Sequence, residues 1–470
     1  MPVPHASRWL NDTLALVLAG GKGQRLYPLT RDRTKAAVPF GGMYRLIDFT
    51  LSNCLHSGVR RIAVLPQYKY GSLERHLRLG WDFLKPEVGG SLAVVPPQQH
   101  VHDGWYRGTA DAVFQNTCTL REEHPSQTLI LSSDHVYRMD YGRLLDYHLH
   151  KGAGLTIACV EVDLEEAGRF GVVGAAVDGR VVSFAEKPLN PHALPGKPGR
   201  ALVSMGVYIF DTDLLVDCLD ADAREEDSSH DFGHDVISHL VTRRERVYAY
   251  NTYQEIGADF YWRDIGVIDA YWEASMELLR PDTPFDLLDP DWPIHTYYPP
   301  LPPARILQED ELDSEAANSL VCPGSRLADA RVHRSIVSPG VVIDRHAEVV
   351  DSVVMDGARI GAGARIERCI VDKNARIPAG CRLGADPESE QRVLHVSPGG
   401  TVVVPRGTDL ARHMREAQHA YSFYSNGYVP RPDRPPARRV GPVRALDWLQ
   451  VSPEVEDPEQ AHDHRLQRAV

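Results

Sequence analysis

Two kinds of hydrophobic patterning divide the chain. Through residue 280, short apolar runs alternate with segments of helical spacing. Leu14 to Ala19 is apolar throughout and is ended by glycine, the pattern of a strand buried on both faces. Arg61–Pro66, Leu92–Pro96, Thr128–Ser133 and Leu155–Val160 read as further strands, whereas Ser72–Leu84 and Met139–Lys151 read as helices. Such alternation predicts an α/β domain on a mostly parallel sheet, with ligands at the carboxyl ends of the strands. Prolines then cluster from Pro281 to Pro303, which predicts an ordered connector or a boundary there. Beyond it, aliphatic residues recur every five or six positions, at Val321, Leu327, Val332, Val337, Ile343, Val349, Val354, Ile360, Ile366, Val371, Ile377 and Leu383. A hexapeptide period of this kind predicts a parallel β-helix, with Cys369 and Cys381 as small core residues. The period fades after Arg406. Asp409–Tyr424 reads as a helix, and the chain beyond about Gly427 as a tail largely without order. The predicted divisions are 1–280, 281–303, 304–406 and 407–470.

Composition narrows the function classes. The 470 residues carry a net charge of -13, from 64 acidic and 51 basic side chains. An acidic surface argues against general nucleic-acid binding but leaves room for a local basic pocket. Seven cysteines, with irregular spacing and no Cys-x-x-Cys, indicate neither a disulfide framework nor a zinc site. No apolar run has membrane-spanning length, and Met1 to Asp12 lacks the order of a signal peptide. The expectation is a soluble cytoplasmic protein with no membrane partner.

Candidate chemistry begins where the first strand ends. Gly20, Gly21 and Gly23 let a ligand approach the backbone closely, so that main-chain N–H groups can face phosphate oxygens. Their spacing fits neither the dinucleotide fingerprint nor the P-loop. Lys22 and Arg25 add positive charge, and a guanidinium can hold a phosphate through two parallel bonds. Arg107, Gly108 and Thr109 can bind phosphate or backbone, ahead of a helix at Ala110 whose N-terminus favours anions. Asp134 stands just past a buried strand, well placed to hold Mg2+ against phosphates, while His135 reads as structural. Glu186 and Lys187 are adjacent, so on an extended chain they would face opposite sides.

The block from Arg25 through Lys35 to Asp48 resembles the N-terminal signature of sugar-nucleotide pyrophosphorylases, and within them the bacterial glucose-1-phosphate adenylyltransferase family. Trp105–Ala112, Leu131–Tyr137, Phe170–Val173, Phe184–Pro188, Val203–Phe210, Ser229–Gly233 and Tyr261–Gly266 resemble further blocks of that family, in order. The resemblance implies a Rossmann-like nucleotidyltransferase domain followed by a left-handed parallel β-helix domain, in a homotetramer. It implies that Leu18, Ala19, Gly20, Gly21, Gln67, Gly108 and Thr109 bind the nucleotide. Tyr106, Gly171, Glu186, Lys187, Ser204 and Asp231 would bind glucose 1-phosphate. Arg25 and Lys35 would hold the departing pyrophosphate, and Asp134 and Asp264 would hold Mg2+ as cofactor. Arg25, Lys35, Asp134 and Lys187 are then the implied catalytic set. Ser133 and Ala36 depart from the family, which more often has glycine or alanine, and proline, at those positions.

The implied reaction converts ATP and α-D-glucose 1-phosphate to ADP-glucose and pyrophosphate, supplying glycogen or a related α-glucan. Two alternatives stay open: a pyrophosphorylase for another nucleotide or sugar phosphate, and a non-catalytic regulatory subunit. Retention of Arg25, Lys35, Asp134 and Lys187 weighs against the second. Small-molecule effectors are implied as well. In the enteric branch a lysine between Thr30 and Lys35 serves activation by fructose bisphosphate. Here that position is Asp32, which would repel such a ligand, while Arg33 and Arg45 remain to bind an anionic effector.

Overall fold

A computed structural model describes residues 10, 12–85, 87, 89–97, 105–257, 260–308 and 315–416. The chain opens with β1 (Thr13–Ala19), β2 (Arg61–Pro66), β3 (Ser91–Val94) and β4 (Gln127–Ser132), which lie side by side in the order β4-β1-β2-β3 and run parallel. It continues through β5 (His135–Tyr137), β6 (Leu155–Asp163), β7 (Gly171–Ala175), β8 (Val181–Glu186), β9 (Arg200–Asp211), β10 (Val247–Asn251) and β11 (Trp262–Asp264). All but β5 and β11 join a single nine-stranded sheet. Long β9 pairs antiparallel with β4, β6 and β7, and β7 with β8, whereas β6 and β10 are parallel. The sheet is therefore mixed rather than mostly parallel. Apolar periodicity marks a buried strand but carries no information on its direction, so β9 hid its reversal.

The helices that position the site are α1 (Leu46–His56), α2 (Gly71–Gly80), α3 (Thr109–Phe114), α4 (Thr117–Glu123), α5 (Tyr141–Lys151), α6 (Thr212–Asp222) and α7 (Ile268–Glu277). They explain why β1 is apolar on both faces. Ala15, Val17 and Ala19 pack against α1, α2 and α5, whereas Leu14 and Leu16 pack with α3 and α6. Each fully buried Leu or Val contributes about 1.5–3 kcal/mol. Helix α2 stops at Gly80, short of the Leu84 its spacing predicts. A side chain at Gly80 would meet the Tyr297 backbone N at 2.8 Å, and Trp81 turns inward to donate from Nε1 to Asp48 at 3.0 Å.

The proline-rich connector is ordered. It has no strand or helix of its own from Thr283 to Pro303, and it is bonded to α1. Thr296 donates to Asp48 at 2.6 Å, and Trp292 Nε1 donates to Asn53 at 3.1 Å. After Arg305 the strands form three sheets, visited in turn and parallel except where His395–Val396 pairs antiparallel with Val402–Val404. Leu327, Ile343, Ile360 and Ile377 stack in register in one, and Val332, Val349, Ile366 and Leu383 in the second. Val321, Val337, Val354 and Val371 stack in the third. Every aliphatic position of the repeat lies in or against one core, the arrangement of a β-helix-like unit, and Cys369 and Cys381 lie there too. Residues 410–416 are helical. The rest of the helix expected to reach Tyr424, and the tail beyond Gly427, lie outside the described residues. Among the described residues no helix is long and apolar enough to cross a membrane.

Helix α7 docks on the three-sheet unit. Asp269 in its first turn accepts hydrogen bonds from Ser397 Oγ at 2.5 Å, Gly399 N at 3.0 Å and Thr401 Oγ1 at 3.2 Å. One turn on, Trp272 Nε1 donates to the Asp351 carbonyl at 2.7 Å, and the Arg368 guanidinium lies 3.8 Å from the Trp272 ring.

Candidate active site

A cleft of about 400 Å³ opens where β1 and β4 end. Leu18, Ala19, Gly20, Gly21, Gln67, Gly108 and Thr109 all line it, together with Lys35, Tyr106, Asp134 and Asp231. Gly20 is pressed against Gln67, whose Cβ lies 3.2 Å from where a Gly20 side chain would begin. Gly21 faces open space, with nothing within 4 Å of that point. Gln67 Nε2 donates to the Tyr106 carbonyl at 3.1 Å and so ties two walls of the cleft. The Tyr106 hydroxyl accepts from Asn116 Nδ2 at 3.0 Å, and burial pushes its pKa up.

Charge is concentrated at one point. Lys35 Nζ lies 2.6 Å from Asp134 Oδ2 and 3.4 Å from Asp264 Oδ1. Asp134 comes from the end of β4, where Ser132 donates to it. Asp264 comes from β11, which pairs with β5 so that Asp264 stands opposite His135. Burial would raise the Asp134 carboxyl and lower the Lys35 ammonium. At Asp134, Lys35, His135 and Ser132 outweigh burial and hold the carboxyl well below the usual range. At Lys35, Asp134 and Asp264 do so and hold the ammonium above its ordinary value. The Arg25 guanidinium is close by: a Cβ on Gly266 would lie 2.6 Å from Asp264 Oδ2 and 3.5 Å from Arg25 Nη2.

The sugar-side residues gather on the other arm. Glu186 Oε2 sits over two glycines, where a side chain on Gly171 or Gly233 would begin 2.9 Å or 2.4 Å from it. Ser204 Oγ donates to the Tyr208 hydroxyl at 3.1 Å and accepts from Gly206 N at 3.2 Å. The bulge that shifts the β9 register between Ser204 and Tyr208 aims this loop, with Gly206 at φ 68° beside His135. Thr109 Oγ1 donates to Asp231 Oδ2 at 3.0 Å, so the two arms are joined there.

Two local expectations are corrected. Glu186 and Lys187 do not face opposite sides. β8 ends at Glu186, Lys187 takes φ 43°, and its Nζ bonds Glu186 Oε1 at 2.6 Å. Nor is the start of α3 free for an anion. The Ala110 and Asp111 N–H groups both point at the His230 carbonyl oxygen, at 2.8 Å and 3.4 Å.

His135, read from sequence as structural, lies with Nε2 3.7 Å from Oδ1 of both Asp134 and Asp264. Its place beside Asp134 was a signal, but its facing Asp264 depends on the β5–β11 pairing. Tyr208 and Trp262 were likewise overlooked: one bonds Ser204, and the other stacks edge-on to His135 with ring centroids 5.1 Å apart. Arg33 is buried, and its Nη2 bonds both Asp372 oxygens at 2.5 Å. Arg45 Nη2 lies 3.8 Å from Asp356, which Lys373 Nζ also approaches at 3.0 Å. Burial, with Arg45 next, pushes the Lys373 ammonium down to about 7.

No group of three or more His, Cys, Asp and Glu side chains that could hold a metal occurs among the described residues. Two carboxylates completed by waters and substrate phosphates is, however, a coordination that Mg2+ accepts. Asp134 and Asp264 converge on a cation, the Lys35 ammonium, and their donor set fits Mg2+.

A glycine-ended strand in an α/β sheet, with carboxylates and cations gathered at its carboxyl end, is an arrangement that suits nucleotidyl transfer, and the chain is a nucleotidyltransferase by family. Residues 14–280 match the nucleotidyl transferase family model, and residues 302–404 match a GlmU-like C-terminal hexapeptide model. Glucose-1-phosphate adenylyltransferase 2 of Alkalilimnicola ehrlichii is 47% identical over 406 residues, covering 86% of this chain and 96% of that one. Its namesake in Vibrio parahaemolyticus is 48% identical over 400 residues, covering 84% and 99%. The glucose-1-phosphate adenylyltransferase of Dechloromonas aromatica is 45% identical over 408 residues, covering 86% and 92%. The chain belongs to the glucose-1-phosphate adenylyltransferase family.

Proposed function

We propose that this protein transfers the adenylyl group of ATP to glucose 1-phosphate, forming ADP-glucose and releasing pyrophosphate. The reading is carried by the meeting of Lys35 with Asp134 and Asp264 beside the glycine-ended strand, in a cleft whose arms join at Thr109 and Asp231. The relatives' name, glucose-1-phosphate adenylyltransferase, supports the choice of substrates. The attacking oxygen of glucose 1-phosphate is already anionic, so no general base is needed. Catalysis is then positioning for in-line attack on the α-phosphorus, plus charge neutralisation. In this scheme Leu18 to Gly21, Gln67, Gly108 and Thr109 hold the nucleotide, and Arg25 and Lys35 neutralise the leaving pyrophosphate. Gly171, Glu186, Ser204 and Asp231 orient the hexose. Tyr106 would reach the sugar phosphate, and Lys187 would move off Glu186 to align it. Asp134 and Asp264 would hold Mg2+, which supplies further charge neutralisation at the phosphates.

The wider reading follows the same line. The repeat is a left-handed β-helix at 304–406, behind a catalytic domain at 1–280 and a connector at 281–303, in a cytoplasmic homotetramer serving glycogen or related α-glucan synthesis. An anionic effector would bind at Arg45; Arg33, the other expected effector residue, is buried and bonded to Asp372. The test is pyrophosphate release with glucose 1-phosphate and Mg2+, comparing ATP, UTP, dTTP and GTP, with and without glycolytic intermediates. Release with ATP supports the proposal, and preference for another nucleotide overturns the adenylyl assignment. Silence with all four, in folded tetramer, moves the regulatory-subunit reading to the front.

A further inference from the structure

The wall between the two substrate arms is built on a side chain that does not line the cleft. His230 is buried, and its imidazole Nδ1 donates to Asp222 Oδ2 at 2.8 Å. The other oxygen of Asp222 accepts from Ser228 Oγ at 2.6 Å, and Ser228 Oγ accepts from the His230 N–H at 2.9 Å. One carboxylate at the end of α6 therefore grips residues 228–230 from both sides. The grip holds His230 in a left-handed conformation, φ 54°, that a histidine rarely adopts unaided. In that conformation its carbonyl oxygen receives the N–H groups of Ala110 and Asp111. The next residue, Asp231, takes Thr109 Oγ1 with Oδ2 and the N–H groups of Gly233 and His234 with Oδ1. Thr109 Oγ1 in turn accepts from Phe232 N at 2.9 Å.

From this geometry we propose that His230 is a positioning residue for nucleotidyl transfer. Anchored on Asp222, it fixes the nucleotide arm (Gly108, Thr109) to the sugar arm (Asp231, Gly233), and so sets how far apart the two substrates are held. The proposal rests on the functional reading above. A strut between the two arms acts on both substrates at once, whereas a residue that only supports folding reduces the amount of active protein without moving either KM.

Three variants test it. His230→Ala removes the imidazole, and Asp222→Ala removes its anchor while keeping His230. His230→Asn keeps a donor near the Nδ1 position and tolerates the left-handed backbone. His230→Ala and Asp222→Ala should raise the KM for ATP and for glucose 1-phosphate together, on the order of tenfold, which is about 1.4 kcal/mol of binding for each. His230→Asn should restore most of the loss. Amide hydrogen exchange at Ala110 and Asp111 should quicken in both alanine variants and recover in His230→Asn. Parent-like KM values in both alanine variants, a rise for one substrate alone, or a fall in kcat and Tm without a KM shift would each overturn the proposal. If the parent turns over neither substrate, the functional reading has failed. The exchange at Ala110 and Asp111 then decides the strut by itself, and unchanged exchange refutes it.

Discussion

Gly108→Ala tests the closeness of the two arms directly. Gly108 has φ −158°, which any residue adopts, so its substitution carries no backbone strain. The obstacle is steric. A Cβ there would lie 2.2 Å from the His230 carbonyl oxygen, 2.5 Å from the Ser229 carbonyl oxygen and 2.6 Å from the His230 carbonyl carbon. Ordinary carbon–oxygen contacts need about 3.3 Å, so the two segments must part by about 1 Å. All three obstructing atoms are backbone, and no side chain can rotate away to absorb the shift. The displacement would break the bonds from Ala110 and Asp111 to His230, at about 0.5–1.5 kcal/mol each in stability. It would also pull Thr109 from Asp231, and a 1 Å error between bound reactants costs up to ~100-fold in rate, about 2.7 kcal/mol in the barrier. The expected result is a folded protein, a lowered Tm, and kcat/KM down by about two orders of magnitude. Initial rates of pyrophosphate release and a thermal melt on one preparation measure both. Parent-like kcat/KM in Gly108→Ala would refute the reasoning, because it would mean that the joint between the arms has slack.

Four further outcomes follow from the same structure. Gly21→Ala should leave Tm unchanged, because nothing lies within 4 Å of the new Cβ, yet raise the nucleotide KM because that carbon projects into the cleft; an unchanged KM counts against the glycine loop as the nucleotide seat. Asp134→Asn should lower kcat by about 10²–10³-fold; near-normal turnover would remove Asp134 from the catalytic set. Lys373 is at about 7 in the folded chain against ~10.4 unfolded, so the folded state binds fewer protons between those values and stability climbs with pH across that window. Lys373→Met should therefore raise stability most below pH ~7, by an upper bound of about 4.6 kcal/mol, and lose its advantage near pH ~10; a pH-independent difference would sink this. Asp269→Ala removes three bonds to a carboxylate worth about 1.5–3 kcal/mol each, so hydrogen exchange across residues 397–401 should quicken, and unchanged exchange would show that α7 docks without them.

Much of this was legible in the chain, and the boundary has physical causes. The β1 run and the hexapeptide repeat are signals of burial, and burial is what apolar patterning encodes. Both emerged where the pattern set them, down to the stacking of Leu327, Ile343, Ile360 and Ile377. The residues read as nucleotide-binding line one cleft because each lies at or just past the end of a strand or opens a helix in a sheet of predictable layout. What the sequence hid depends on pairing and on single dihedrals. The direction of β9, and hence the mixed sheet, has no period-two signature. His135 reaches Asp264 only because β11 reverses alongside β5. Lys187 turns onto Glu186 because of one left-handed residue at a strand end. The start of α3 looked open because the residue that closes it, His230, comes more than a hundred positions later.

These hidden contacts bear on how the two halves of the chain relate. Asp264 ends β11, and α7 begins at Ile268. That helix is fastened to the three-sheet unit at Asp269 and again at Trp272, on one face and one turn apart. Two fastenings on a rigid helix fix its rotation as well as its position, so the short segment from Asp264 to Ile268 has little freedom of its own. Gly266 lies within that segment, packed so closely on Asp264 that a side chain would collide with the carboxylate. The carboxylate that faces Lys35 is thus held through α7 by the C-terminal sheets as well as by its own strand pairing. A shift of that unit would reach Asp264 through α7 and Lys35 through Arg33, two residues before it and bonded to Asp372, whereas Asp134 is anchored separately at the end of β4.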